Sequence, residues 1–469
     1  MREWLFARLR PYLLVFLSGL APVAFAAEDY LDAEQRAAVN LLQQDAAQPT
    51  TLANYPQRSD ILWRWANAFA VSGGYVPVNL TAVARTKLPD VPTPSTLRAI
   101  DDYIAEMTLL DTQPAALGEL SATLGPFVAR SNATLQQTYA VGEKPITVGG
   151  GIAVPRHFMA DYGEFQTAKP NAANYVTISS SNPNVHFVAD AVPVAGMHGG
   201  FRGAAPVLFF RLSAGLLQQN DIVTITYGAR SQGGGGLLMP TFSSDRMPFP
   251  LYVDFDGNGP LYSLPIQPIR VIGAAVAGVH GFAPSVVRPG ESFALTVRAQ
   301  DRYYNRASGS IPAWQVLHND QVIATLSTGD KALQTIADLQ FQNEGIVRLS
   351  IRSEDGAITG KVNPILVSAD AQRIFWGDTH GHSGFAEGIG TPERFMTWAK
   401  EDARLDFVTH SEHDIWLDDS EWQHLKDNAE AYSEPGRFIA YLGYEWTTRN
   451  LYGGHHNVLF RNTQGRHRI

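Results

Sequence analysis

Histidine is unevenly spread along this chain: His157, His186, His198, His280 and His318 are scattered over the first 374 residues, whereas eight of the thirteen fall between Phe375 and Ile469. The dense part holds three groups able to bind metal, namely His380 with His382, then Glu412, His413 and Asp414, then Glu445. Imidazole nitrogens and carboxylate oxygens are ligands for divalent cations, and such cations activate water for hydrolysis. In His380-Gly381-His382 the two imidazoles stand two apart on an extended segment and point the same way, while the glycine admits a close backbone approach. Such a pair can share one cation or two. His455 and His456 follow Glu445 after Gly453-Gly454 and can bring another imidazole back to the same place. His424, inside a helical pattern, and His467, beside Arg466 and Arg468, stand outside this arrangement and read as solvated.

The elements around these residues explain their spacing. Arg373 to Gly377 reads as extended, Pro392 to Asp402 as helical, Leu405 to His410 as extended, Glu421 to Tyr432 as helical and Arg437 to Tyr444 as extended. Thr391 and Pro392 supply a cap and a first-turn proline for one helix, and Pro435-Gly436 closes the other. His382 precedes His413 by 31 residues and His413 precedes Glu445 by 32. Roughly 30 residues is one strand-helix unit. The metal-binding groups therefore emerge together at the carboxyl end of a parallel sheet, where barrel enzymes keep their active sites.

The rest of the chain divides by texture. Residues 27–142 read as a helical segment, with apolar residues at three- and four-residue spacing in Leu31 to Gln48, Ser59 to Val71 and Pro94 to Leu110. The Trp63, Trp65, Phe69 stripe fits a core. Residues 143–268 read as a β-sandwich, with strands at Asn174 to Ser179, Pro206 to Leu212 and Asp221 to Tyr227. Gly233 to Gly236 lacks the Lys and Ser/Thr of a phosphate-cradling loop and reads as a flexible surface loop, and Asp254, Asp256 and Asn258 open like a calcium loop but meet Pro265 where its Glu belongs, so they read as a turn. Residues 269–370 have the strand spacing of an immunoglobulin-like domain: Ser292 to Ala299, Ala313 to His318, Gln321 to Ser327 and Ile346 to Arg352.

At 469 residues the chain exceeds one hydrophobic core. With 45% hydrophobic and 17% charged residues it is too polar for a multi-span membrane protein, and a net charge of -9 offers nucleic acid no basic surface. Arg2, Arg8 and Arg10 precede an apolar run, Tyr12 to Ala27, that ends in Ala24-Phe25-Ala26. That is the pattern of a cleaved signal peptide, residues 1–26, and directs the protein to the periplasm or outside the cell without stable membrane insertion.

Phe375-Trp-Gly-Asp-Thr-His-Gly-His-Ser383, Val408-Thr-His-Ser-Glu-His-Asp414 and Gly443-Tyr-Glu-Trp-Thr447 together resemble the PHP (polymerase and histidinol phosphatase) superfamily, and more closely the bacterial family called domain of unknown function 3604. The resemblance covers Phe375 to Phe460. It implies a distorted seven-unit βα barrel, begun at residue 371, with two or three divalent ions, usually zinc, manganese or iron, hydrolysing phosphoesters. By that resemblance His380, His382 and His413 are ligands, Glu445 bridges the ions, His456 follows with His455 second to it, and Glu387 adds an acidic ligand. Asp378 and Glu412 would hold imidazole N–H groups in place, Glu412 standing where the family has Asp. Because the chain reaches only about three of the seven units, the expectation is a fragment of a longer protein, an open parallel edge being unfavourable. Basic residues are sparse, Arg394 and Arg449 being the near neighbours in sequence. The expected partner is therefore a small-molecule or phosphoester substrate, with an amidohydrolase-type substrate, or a β-sandwich binding protein carrying a structural metal, as the alternatives.

Overall fold

The computed structural model describes residues 40–466 except 46, 60–91, 157–159, 196–203, 248, 259–260, 265–267, 384–387, 415–416, 418 and 448–453. The signal peptide, most of the first two helical runs, the tryptophan stripe, Glu387, Arg449 and His467 lie outside the described residues.

After a helix at Pro94–Thr112 the chain turns to strands at Gly118–Ala122 and Leu135–Val141, well before residue 143. These join Ile222–Tyr227 and Val176–Ser180 in one antiparallel sheet, in the order 118–122, 135–141, 222–227, 176–180. A five-stranded sheet built on Gly151–Val154, His186–Ala195, Ala204–Ala214, Tyr252–Asp254 and Tyr262–Ser263 packs over it. Leu135, Tyr139, Val223, Ile225 and Tyr227 from the first sheet share one apolar cluster with Ile152, Val154, Phe210 and Leu212 from the second. The alternation that makes Leu135–Val141 a strand is masked in the sequence by Gln137, a polar residue on the buried face. Gln137 is tolerated there because its amide donates to the Phe249 carbonyl at 2.8 Å and its carbonyl accepts the Tyr227 hydroxyl.

Next comes a seven-stranded sheet in which Gly278–Phe282 lies between Thr359–Val362 and Phe293–Gln300, faced by a three-stranded sheet of Val286–Val287, Gly345–Val347 and Ile365–Val367. Trp314, Val316, Leu295, Ile351 and Ile365 fill the space between them. The expected strand Ile346 to Arg352 divides at Arg348, and its halves serve opposite sheets. Asp254 accepts the backbone N–H groups of Asp256 and Gly257, which makes 254–258 the turn its sequence implied.

The C-terminal unit is a four-stranded mixed sheet: β1 (Gly377–Asp378), β2 (Phe407–His410), β3 (Ile439–Thr447) and β4 (His455–Phe460), in that order. β1, β2 and β3 run parallel, whereas β4 turns back antiparallel to β3, from Leu442↔Phe460 to Thr447↔His455. Helix α1 (Pro392–Thr397), which continues as a π-helix over Trp398–Asp402, and helix α2 (Asp419–Tyr432) lie on one face. There Met396, Ala399, Trp422, Leu425 and Ala429 pack on Val408, Leu442 and Tyr444. Thr391 caps α1, its hydroxyl accepting the Arg394 N–H at 3.3 Å.

Two expectations about the fold are thereby corrected. Strand accounts for 40% and helix for 13%, so the protein is mostly β; the described residues show no clear helical N-terminal segment and, in the last part, no α/β barrel. The barrel reading fails because β4 continues from β3 as an antiparallel hairpin partner, whereas a barrel unit returns through a helix to a parallel strand.

Candidate metal centre

The carboxyl ends of β1, β2 and β3, with the start of the antiparallel β4, bring five donors together: His380, His382, His413, Glu445 and His455. They form two triads sharing Glu445, one with His380 and His382 and the other with His413 and His455, and within each triad the donor atoms lie within 4.8 Å of one another. Glu445 is at the centre, its Oε2 3.2 Å from His382 Nε2 and 3.2 Å from His413 Nδ1, and its Oε1 2.7 Å from His455 Nδ1. His382 and His413 stack at 4.6 Å, and His380 stands edge-on to His382 at 4.8 Å. Four imidazoles and one carboxylate at these separations are a donor set that zinc, manganese or iron accepts. Glu445 and His413 are buried while His380 and His455 are exposed, so the cluster has a solvent-facing side.

Residues 391–468 match the family model described as protein of unknown function (DUF3604). His413, Glu445 and His455 lie inside this DUF3604 match, and His380 and His382 just ahead of it. Relatives include uncharacterized proteins of Chlamydia muridarum, 26% identical over 49% of this chain and 38% of that protein, and of Chlamydia pneumoniae, 24% identical over 49% and 39%. The matched stretch thus spans under two-fifths of the length of these curated relatives. Among solved structures, Yersinia pseudotuberculosis InvD is similar at 15% identity and a TM-score of 0.23, over 54% of this chain and 60% of that one. The D0-D1 domain of Intimin is similar at 11% identity and a TM-score of 0.16, over 53% and 97%. Scores this low carry no weight for fold or function.

Strand alternation decides between the two adjacent histidines in the DUF3604 segment. In the β3–β4 register Glu445 faces Asn457, Thr447 faces His455 and Trp446 faces His456, so Glu445, Thr447, His455 and Asn457 share one face and Trp446 and His456 the other. His456 stacks on Trp446 at 5.8 Å, away from the cluster. The sequence ranked His456 first; the hairpin register, not readable from composition, puts His455 on Glu445 instead.

Further partners steady the imidazoles. His413 Nδ1 is 2.8 Å from the Thr447 hydroxyl, and His380 Nδ1 is 3.0 Å from Asn457 Oδ1 and 3.2 Å from the Ser411 hydroxyl. Thr447, Asn457 and Ser411 were missed in the sequence, although Thr447, two along β3 from Glu445, was findable by alternation. Glu412 is fully buried behind His382, its Oε2 3.5 Å from His382 Nδ1. Burial alone would raise the Glu412 carboxyl, but His410 and His382 outweigh it and hold it well below the usual carboxylate range. Asp378 does not meet an imidazole N–H in the way expected: its Oδ1 accepts the backbone N–H of His380 at 3.0 Å, closing the turn that presents the His-Gly-His run. His424, expected to be solvated, pairs with Glu393 at 2.5 Å and joins α2 to α1. Arg394 is held by Asp245 at 3.4 Å.

A Cβ on Gly381 would sit 2.5 Å from Phe395 Cε2 in α1, so this glycine is required by close approach. Gly381→Ala is expected to displace the His380–His382 pair, costing about 1–3 kcal/mol and weakening metal uptake. Titration of the purified variant with Zn²⁺ checks this; parental affinity would rule out the wedge.

Burial first, and then the neighbouring imidazoles led by His382, hold the His413 imidazole down at about 3 against the opposing pull of Glu412. It is therefore neutral at physiological pH, with a lone pair to offer. The sign for stability follows from proton binding: the unfolded chain takes up a proton near pH 6.5, roughly the free imidazole value, and the folded chain resists. Stability of the metal-free protein is full above that pH and falls on acidification toward 3, with a slope from this residue of at most about 1.4 kcal/mol per pH unit. Urea unfolding at pH 7 and pH 5, compared with His413→Gln, reads this contribution; an equal pH slope in the two proteins would exclude it.

Proposed function

We propose that this chain is an exported metal-dependent hydrolase, a phosphoesterase of the kind its PHP-like motifs imply, with two or three divalent ions at the histidine cluster. The observation that carries the proposal is the pair of triads sharing one buried carboxylate and open to solvent on the side of His380 and His455. A closed structural site would leave no position for water or substrate. The ions would supply Lewis acidity and a bound water of lowered pKa. The chain's own residues do the rest: Glu445 holds both halves at a fixed separation, Thr447 and Asn457 orient the His413 and His380 rings, and Glu412 orients His382. No helix among the described residues is long and apolar enough to cross a membrane. For the longer relatives, and for any longer protein of which this chain is part, activity and substrate are likewise proposals.

A second reading, a hydrolase acting on an uncharged ester or amide with the same ligands, is favoured by one observation. Arg394, the near basic neighbour in sequence among the described residues, is paired with Asp245 at 3.4 Å, so its charge already has a partner other than a phosphate. The test is turnover of bis(p-nitrophenyl) phosphate and of p-nitrophenyl acetate by the protein loaded with Mn²⁺ or Zn²⁺, with and without chelator. Chelator-sensitive cleavage of the diester supports the first reading, and of the acetate alone the second. A protein that holds stoichiometric metal yet turns over neither substrate refutes both readings for this chain, leaving a structural metal.

A further inference from the structure

His410, the last residue of β2, is not one of the five donors. It is buried beneath α1, its ring stacked on Phe395 at 4.8 Å and 23°. Its Nε2 is 2.6 Å from Glu412 Oε1. The same oxygen accepts the backbone N–H of Ser383 at 2.6 Å and the Ser383 hydroxyl at 2.6 Å. Three donors thus converge on one oxygen of a carboxylate that water does not reach, while the other oxygen is turned toward His382 Nδ1. A carboxylate gripped by one oxygen cannot rotate about its last bond without losing donors it cannot replace in a dry site. Its remaining lone pairs therefore keep a fixed direction.

We propose that His410 is a positioning residue of the metal centre, acting through Glu412 on His382. By completing the grip on Oε1 it keeps Oε2 on the His382 Nδ1 side, so that the ring carries its proton on Nδ1 and turns a bare Nε2 toward Glu445. The proposal rests on the metal-centre reading above. It goes beyond that reading in assigning the work to a histidine that touches neither a metal position nor a substrate position. The plain alternative is a core histidine that merely satisfies a buried glutamate, and the two differ in what metal binding reports.

The experiment uses Co²⁺ as both ligand and spectroscopic probe on the whole chain, in four forms: parent, His410→Phe, His410→Asn and His410→Gln. Phenylalanine keeps the stack on Phe395 without the donor, asparagine is too short to reach Glu412, and glutamine restores an N–H at the same reach. Expected are Co²⁺ affinities about 10- to 100-fold weaker for the phenylalanine and asparagine variants, with a shifted visible absorption band. His410→Gln should recover most of both, and thermal melts of the metal-free proteins report folding. Parental affinity and an unchanged band in a folded His410→Phe or His410→Asn overturn the positioning role alone. Failure of both to fold makes His410 a residue of the core and also overturns it. A parent that binds no Co²⁺ overturns the metal-centre reading itself, and this proposal with it.

Discussion

Glu445→Ala is expected to empty both halves of the histidine cluster at once, whereas His380→Ala and His455→Ala should each empty only one. The asymmetry follows from the sharing of Glu445 between the His380–His382 triad and the His413–His455 triad. Its two oxygens lie against three imidazoles, at 3.2, 3.2 and 2.7 Å. Removing the carboxylate also removes the only anion among the five donors, so of these donors only imidazoles would remain for a cation. The loss in affinity should exceed the roughly 10- to 100-fold cost of a residue that stands behind the ligands. Metal content after loading and desalting decides the matter: a stoichiometry near that of the parent in Glu445→Ala removes the bridging role, and complete loss in His380→Ala and His455→Ala alike would mean one shared ion instead of two positions. Hydrolysis should fall with Glu445→Ala to the chelator-treated level.

Asp402→Ala should be the most destabilising single change at the junction between the immunoglobulin-like unit and the C-terminal unit. Asp402 ends the π-helix that follows α1 and accepts from Arg298 Nε at 3.0 Å and Arg306 Nε at 3.3 Å. The side chains of Arg298 and Asp402 are only 10% and 7% exposed, so deletion of the carboxylate strands a cation that water cannot solvate. Loss of one partner of such a pair costs about 3–5 kcal/mol. Arg298 keeps bonds to Gln300 Oε1 and the Tyr304 carbonyl, which places the value at the lower end. Arg306, 44% exposed, contributes as a surface partner and should cost no more than about 1 kcal/mol when removed. Urea unfolding followed by tryptophan fluorescence distinguishes these; equal effects of Asp402→Ala and Arg306→Ala would exclude the buried pair as the source. Trp376 Nε1, which donates to Ser285 Oγ at 2.8 Å, reinforces the same junction.

The sequence by itself determined the local features that depend on neighbours along the chain. The Thr391-Pro392 start of α1, the strand patterns around Phe407–His410 and Ile439–Thr447, the period-2 strands of the immunoglobulin-like unit and the close approach at Gly381 are all set by residue type and spacing. So is the gathering of His380, His382, His413 and Glu445 at one end of a parallel run, because one strand-helix unit separates each group from the next.

What depends on pairing between segments was decided only by the tertiary structure. A period of two says that His455 and His456 point opposite ways but not which one faces Glu445; that is fixed by the pairing of Thr447 with His455, a long-range register. The same hairpin makes the sheet mixed and removes the barrel that the motifs implied. Gln137 broke an otherwise legible strand pattern because its amide finds the Phe249 carbonyl and the Tyr227 hydroxyl, partners 112 and 90 residues away. Asn457 and His410 were silent for a related reason. Each matters through a hydrogen bond to a charged or ring atom of another residue, and short-range spacing carries no signal for such bonds.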